Sequence, residues 1–139
     1  MKVYNGEGIV LGRLGSTVAK QALLGEEVHV VNCEKVIISG AKTVAISRAL
    51  RRRNLKGHPF RSQTHSRLPD HFVRRSIRGM LPWKNARGKE AFHHIMCYNG
   101  IPASFQQSEF IVLSKESKDK FPHLKYITIG EVCKQIGGK

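Results

Sequence analysis

Negative charge is nearly missing from one stretch of this chain. Between Arg48 and Lys89, Asp70 is the one acid among thirteen Lys or Arg residues, which leaves that window at +12. The rest of the 139 residues carries eleven bases and nine acids, or +2, so almost all of the net +14 is local. Long apolar runs are also missing. No stretch approaches the ~20 residues that a spanning helix needs, and the N-terminal "MKVYNGEGIVLGRLG" has no apolar segment with a cleavage site. The expectation is a soluble protein that is neither membrane-bound nor exported.

Cysteine is sparse. Cys33, Cys97 and Cys133 are odd in number, far apart and form no CxxC pair, which argues against a disulfide framework or a zinc knuckle. They read as buried thiols behaving as small apolar residues in a reducing compartment. Catalytic patterns are absent too. The glycines of "GEGIVLGRLG" follow a predicted strand, but position 11 is Leu where the dinucleotide fingerprint needs Gly, and no Gly-Lys-Ser/Thr exists. The "FHHIMC" stretch lacks any ligand spacing that places its histidines and Cys97 on one helix face. The acids are scattered without a pair suited to proton transfer. No enzyme, cofactor, metal site or small-molecule substrate is expected.

What is present is enough apolar residue, 40% of the chain, for one domain spanning residues 1–139. "KVY" reads as a strand closed by "NGEG". Leu11, Leu14, Val18 and Ala22 then set a helical period that Gly25 ends, and "EVHVVNC" follows as a strand buried on both sides. Strand, helix and strand in so short a span form a crossover unit, which makes the fold α/β. "KVIISG" predicts a third strand. Residues 41–55 predict a helix packing through Ile46 and Leu50, with Arg48 and Arg52 on a charged side. From Gly57 to Pro69 an extended basic loop is expected. A helix entered through Pro69 and Asp70 then turns Phe72, Val73, Ile77 and Met80 inward. "GMLPWKNARG" is a break before a short helix from Lys89 to Ile95, a strand at "MCY", strands at "EFIVL" and "KYITI", and a last helix in "GEVCKQIGGK".

The basic window within residues 48–89 faces a polyanion. Its charges repel one another unless neutralised, and ten of its thirteen bases are Arg, whose planar fork grips phosphate in two places and stacks on bases. His58, Phe60, His65 and Trp83 lie among them as stacking rings. A membrane surface is the weaker candidate, because the apolar positions of these helices are needed by the core. With no groove-reading motif, folded RNA suits the window better than duplex DNA. Arg48, Arg51, Arg52, Arg53, Lys56, Arg61, Arg67, Arg74, Arg75, Arg78, Lys84 and Lys89 are the candidate phosphate contacts.

The segments "VLGRLGSTVAKQALLGEEVHVVNCEKVIISG", "SRLPDHFVRRSIRGMLPWKNARGKEAF", "CYNGIP" and "LKYITIGEVCKQIGGK" resemble the large-subunit ribosomal protein L-thirteen family in its archaeal form. The resemblance runs almost end to end, and "RGMLPWK" followed by "RG" and "YNGIP" is its most specific part. It implies a three-layer α/β/α domain around a four-stranded, mainly parallel sheet. It also implies a non-enzymatic constituent of cytoplasmic ribosomes, binding large-subunit rRNA beside neighbouring ribosomal proteins and supporting subunit assembly. The family's "RGMLP" element falls on Arg78 to Pro82, with Lys84 and Arg87 just beyond, and its "GRL" element on Gly12, Arg13 and Leu14. Asn5 stands where the family commonly has Asp, and Gly15 where it commonly has Ala. The rival readings are a free regulatory RNA-binding module and a nucleotide-dependent enzyme built on the N-terminal crossover unit.

Overall fold

The computed structural model describes residues 1–55, 57, 65–113 and 125–138. Strand β1 (Lys2–Asn5), helix α1 (Leu11–Leu23) and strand β2 (Val28–Val31) form the expected crossover, with β1 and β2 parallel and Val3 opposite His29. Gly25, at φ +90°, supplies the left-handed residue that stops α1 and turns the chain back. After a 3-10 turn at Cys33–Lys35 come β3 (Ile37–Ser39) and α2 (Lys42–Asn54). Helices α3 (Pro69–Arg78) and α4 (Ala86–His93) precede β4 (Ile95–Cys97), and β5 (Tyr126–Thr128) leads into α5 (Ile129–Gln135).

The strands divide into two groups. The parallel sheet has the order β1-β2-β4, while β3 and β5 pair antiparallel in a separate ladder. The resemblance implies four strands in one sheet. Here the place beside β1 is taken by a single parallel bridge from Tyr4 to Ile111, with Ile111 N–H donating to Val3 O at 2.8 Å. "EFIVL" therefore touches the sheet at one residue instead of forming the predicted strand.

Period-2 alternation explains the layering. Tyr4, Val28, Val30, Ile95 and Cys97 point to one side, where they meet Leu14, Val18 and Ala22 of α1, Val73 and Ile77 of α3, and Ile129 and Cys133 of α5. Val3 and Val31 point to the other side, against Phe105, Tyr98 and Phe110. His29 is on that second side, its ring 4.8 Å from that of Phe105, and burial pushes its imidazole below the usual value. All three cysteines are buried and form no disulfide, in agreement with their spacing in the chain.

Three local expectations are corrected. Helix α4 starts at Ala86, three residues earlier than predicted, and ends at His93, so that β4 begins at Ile95. Gly88 looks like a helix breaker, yet it is the buried position at which α4 presses on the Pro82 carbonyl, where no Cβ could fit. The helical period assigns Met80 to the core, but the residue is 43% exposed, because α3 stops at Arg78 and takes Met80 off the helical stripe. Its sulfur still lies against α1, so close that a Cβ on Gly15 would sit 2.9 Å from Met80 Sδ. Finally, α2 has no buried residue at all, and Ile46 and Leu50 are only half-covered.

Candidate nucleic-acid interface

Helix α2 projects from the body. It meets α5 and β5 along a narrow seam, where Arg53 donates to the carbonyl of Ile136 just beyond α5. Arg48, Arg51 and Arg52 are exposed. Their helix carries no acid, although Lys42 at its start pairs with Glu131 of α5 at 3.7 Å.

The second cationic element is α3 with the turn after it. Val73 and Ile77, four apart, face the core, so Arg74 and Arg78 share a different, half-exposed stripe. Each guanidinium rests on a ring. Arg74 lies 4.5 Å from the centroid of Phe92, and Arg78 lies 5.1 Å from that of Trp83. The two rings themselves meet edge to face at 5.0 Å. This ladder of cation, ring, ring and cation holds both arginines in place by about 0.5–1 kcal/mol each at such exposure. Both side chains are half-exposed, and Arg74 Nε is buried without a hydrogen-bond partner. Trp83, 38% exposed, keeps part of its ring open to solvent.

Among the described residues, no carboxylate lies within ion-pair distance of Arg48, Arg51, Arg52, Arg74 or Arg78. The ion pairs gather elsewhere, as in Lys35 with Glu7 at 3.1 Å and Lys2 with Glu26 at 3.6 Å. Asp70, the one acid of the window, approaches His71 at 3.9 Å.

The remaining candidates separate by job. Arg87 donates to Leu23 O at 3.2 Å and Arg67 reaches Gly137 O at 3.5 Å. With Arg53 on Ile136 O, these three guanidinium groups satisfy carbonyls at the C-terminal ends of α1 and α5, where a positive charge is favoured. They are tethers as well as charges. Sequence spacing could not show this, since the partners are between 64 and 83 residues away. Lys84 and Lys89 are exposed around α4, and Arg13 is exposed on α1. Arg75 and His65 are half-buried between α2 and α3, where burial and the charges of Arg75 and Arg52 push the His65 imidazole below its usual value. Lys56, His58 and Arg61, with most of the predicted loop from Gly57 to Pro69, lie outside the described residues.

The N-terminal glycines serve packing. A Cβ on Gly6 would come 2.6 Å from Val36 Cγ2, and Gly8 adopts φ +68° in the turn before α1. No group of three or more potential metal ligands occurs among the described residues. No helix in them is long and apolar enough to cross a membrane.

An α/β body that presents arginines propped on aromatic rings defines a class, that of domains carrying a cationic face of the kind suited to nucleic acid. A family model for ribosomal protein L13 matches residues 1–104. The chain is 40% identical over 139 residues to the large ribosomal subunit protein uL13 of Methanococcoides burtonii, covering 100% of this chain and 99% of that protein. It is 39% identical to the protein of the same name from Methanosarcina barkeri and 40% identical to that of Methanocaldococcus jannaschii, again over 100% of this chain and 99% of each relative. The chain belongs to the ribosomal protein L13 family, a family of large-subunit ribosomal proteins and not of enzymes. That finding removes the nucleotide-dependent enzyme as a reading.

Proposed function

We propose that this chain, acting as a single domain, is a structural constituent of the large ribosomal subunit in the cytoplasm. It binds large-subunit rRNA, touches neighbouring large-subunit proteins and supports subunit assembly. The observation that carries the reading is the arginine face of α2 and α3, propped on Phe92 and Trp83 at Arg74 and Arg78, with no carboxylate within ion-pair distance of its central arginines among the described residues. A solvated face of that density would repel itself, and phosphate is the ligand whose geometry the guanidinium fork matches. Arg48, Arg51, Arg52, Arg74 and Arg78 are that centre. Arg13, Arg75, Lys84, Arg87 and Lys89 extend it, together with His65 and Arg67, and Lys56, His58 and Arg61 are further candidate contacts from the same basic window of the sequence. Family membership supports a place on the large subunit over a free regulatory role.

The test is filter binding of purified protein to large-subunit rRNA across a salt series. Replacing both Arg74→Glu and Arg78→Glu removes two charge-assisted phosphate contacts, at about 1.5–3 kcal/mol for each such hydrogen bond. Affinity should then fall by roughly two orders of magnitude, and the slope of log affinity on log salt should flatten by about 1.4–1.8. Melting temperature should drop by only a few degrees, the effect of losing two cation–π contacts of about 0.5–1 kcal/mol each, so the fold persists. Unchanged binding by that double variant would move the RNA surface off α3.

A further inference from the structure

Between α2 and α3 runs an open groove of about 680 Å³ whose bottom is apolar. Ile37, Val132 and Ile136, all buried core residues, form its deep end. One wall is a helical stripe of α2: Val44, Ala45, Arg48, Ala49 and Arg52. The facing wall holds Phe72, Arg75 and Ser76 of α3, and His65 and Ser66 close one end. The helix leans on the body by its Arg53 seam, and Val44 on this stripe is left 53% exposed. Small residues recur every fourth position at Ala41, Ala45 and Ala49 and keep the groove wide.

Resting on the rRNA reading above, we propose that this groove receives one unpaired nucleotide of the RNA. Its base lies on the apolar bottom beside Phe72, and its flanking phosphates meet Arg48 and Arg52 at the rim.

Three features of the groove select that occupant. Its rim holds the Arg48 and Arg52 guanidinium groups, with no carboxylate in the lining and none within ion-pair distance of either among the described residues, so the occupant is anionic at its edge. Its bottom is apolar and bounded by a ring, so the occupant has a flat apolar body. Polar groups at Ser39, Ser66 and Ser76 line it as well and offer hydrogen bonds to the edge of a base. His65, whose imidazole burial and the charges of Arg75 and Arg52 push below its usual value, adds a ring with hydrogen-bonding nitrogens at that end. Folded RNA presents splayed, unstacked bases of this kind in its loops and bulges. A peptide segment from a neighbouring protein is the competing occupant, and it would need acids set around an apolar side chain to match the same rim.

The test fills the groove without changing its charge. Ala45→Phe and, as a second variant on the same wall, Ala49→Phe place a ring where the base would sit. Because α2 buries none of its residues, both should keep the parent melting temperature. Ser47→Phe, on the side of α2 away from the groove, is the control. Binding is read by anisotropy of a fluorescein-labelled single-stranded RNA dodecamer and of an RNA duplex of equal length. Both groove variants should weaken the single strand by at least about fivefold, the lower end of what one stacked base contributes. Duplex binding and the control should not change. Equal affinity of all variants for the single strand overturns the proposal, and is the result expected if a protein segment occupies the groove. Equal losses on strand and duplex also overturn it, since they assign the groove wall to backbone contact. If the unsubstituted chain binds large-subunit rRNA and the groove variants match it, the inference fails while its parent reading stands. If the unsubstituted chain binds no RNA, both fail.

Discussion

Helices α1 and α2 have the same length, 13 residues each, and opposite lives. Helix α1 buries Leu14, Gly15, Val18, Ala19 and Ala22 between the parallel sheet and α3, while α2 buries nothing. The difference is one of composition at the same period. In α1 the positions that face inward are uniformly apolar or small. In α2 the packing stripe shrinks to the half-covered Ile46 and Leu50, and beside it stand Arg48 and Arg52, which cannot be taken from water without a partner. Thus the core of this molecule ends where α2 begins, and α2 is held by an edge, with its charge directed outward. The lesson is that a helix can be kept on a protein for what it shows to a ligand, its stability within the isolated chain being secondary.

Cutting an aliphatic side chain from each helix should give very different losses. Leu14→Ala, at a position with no exposure, should cost about 2–5 kcal/mol of unfolding free energy in urea titration. Val44→Ala on α2 should cost about 0.5 kcal/mol or less, as expected at an exposed site. Similar losses from both would mean that α2 is part of the cooperative core after all.

Adjacent arginines on α2 sharpen the contrast further. Arg53, bonded to the Ile136 carbonyl, is the tether, and Arg53→Ala should lower stability by about 1.5–3 kcal/mol, the range for a hydrogen bond involving a charged group. Arg52→Ala should leave stability within about 0.5 kcal/mol and instead flatten the salt dependence of RNA binding by roughly 0.7–0.9. Exchange of those two signatures would mean that the seam runs along the other side of the helix.

The smallest effect concerns the thiols, which all belong to the packed part of the molecule. Burial, helped by the nearby Asp70 carboxylate, pushes Cys133 up to about 11, and contact with Cys97 together with burial pushes Cys33 up as well. At pH 8 the native protein should therefore show little iodoacetamide labelling over an hour, and all three cysteines should label in denaturant. Rapid labelling of the native chain would reveal local opening of a body that the comparison treats as closed.

Much of this architecture is legible in the residues. The β1-α1-β2 unit can be read because apolar period, turn glycines and β-branched runs agree with one another there. The charge imbalance between Arg48 and Lys89 is equally plain, and composition alone is enough to point it at a polyanion. Legibility fails where tertiary distance decides. Nothing local distinguishes Arg53 from Arg52, yet one reaches a carbonyl 83 positions away and the other is exposed. Gly88 carries the mark of a breaker because its neighbour Pro82, against which it packs, lies across a turn. Ile46 and Leu50 show a helical packing face, but the surface they meet is too narrow to bury them. The groove has one sequence signal, the alanine spacing at 41, 45 and 49, which gains meaning only with α3 placed opposite it.

The central claim is that the arginine face fixes this chain within the large subunit. Tagged protein should be expressed in its native cell and the lysate sedimented through a sucrose gradient, before and after a high-salt wash. If the face is fitted to folded rRNA, stoichiometric protein stays with the large-subunit peak after the wash, and the Arg74→Glu, Arg78→Glu variant is lost from that peak. Release of the unsubstituted protein to the top of the gradient would contradict the account, since screened charge alone would then have held it there.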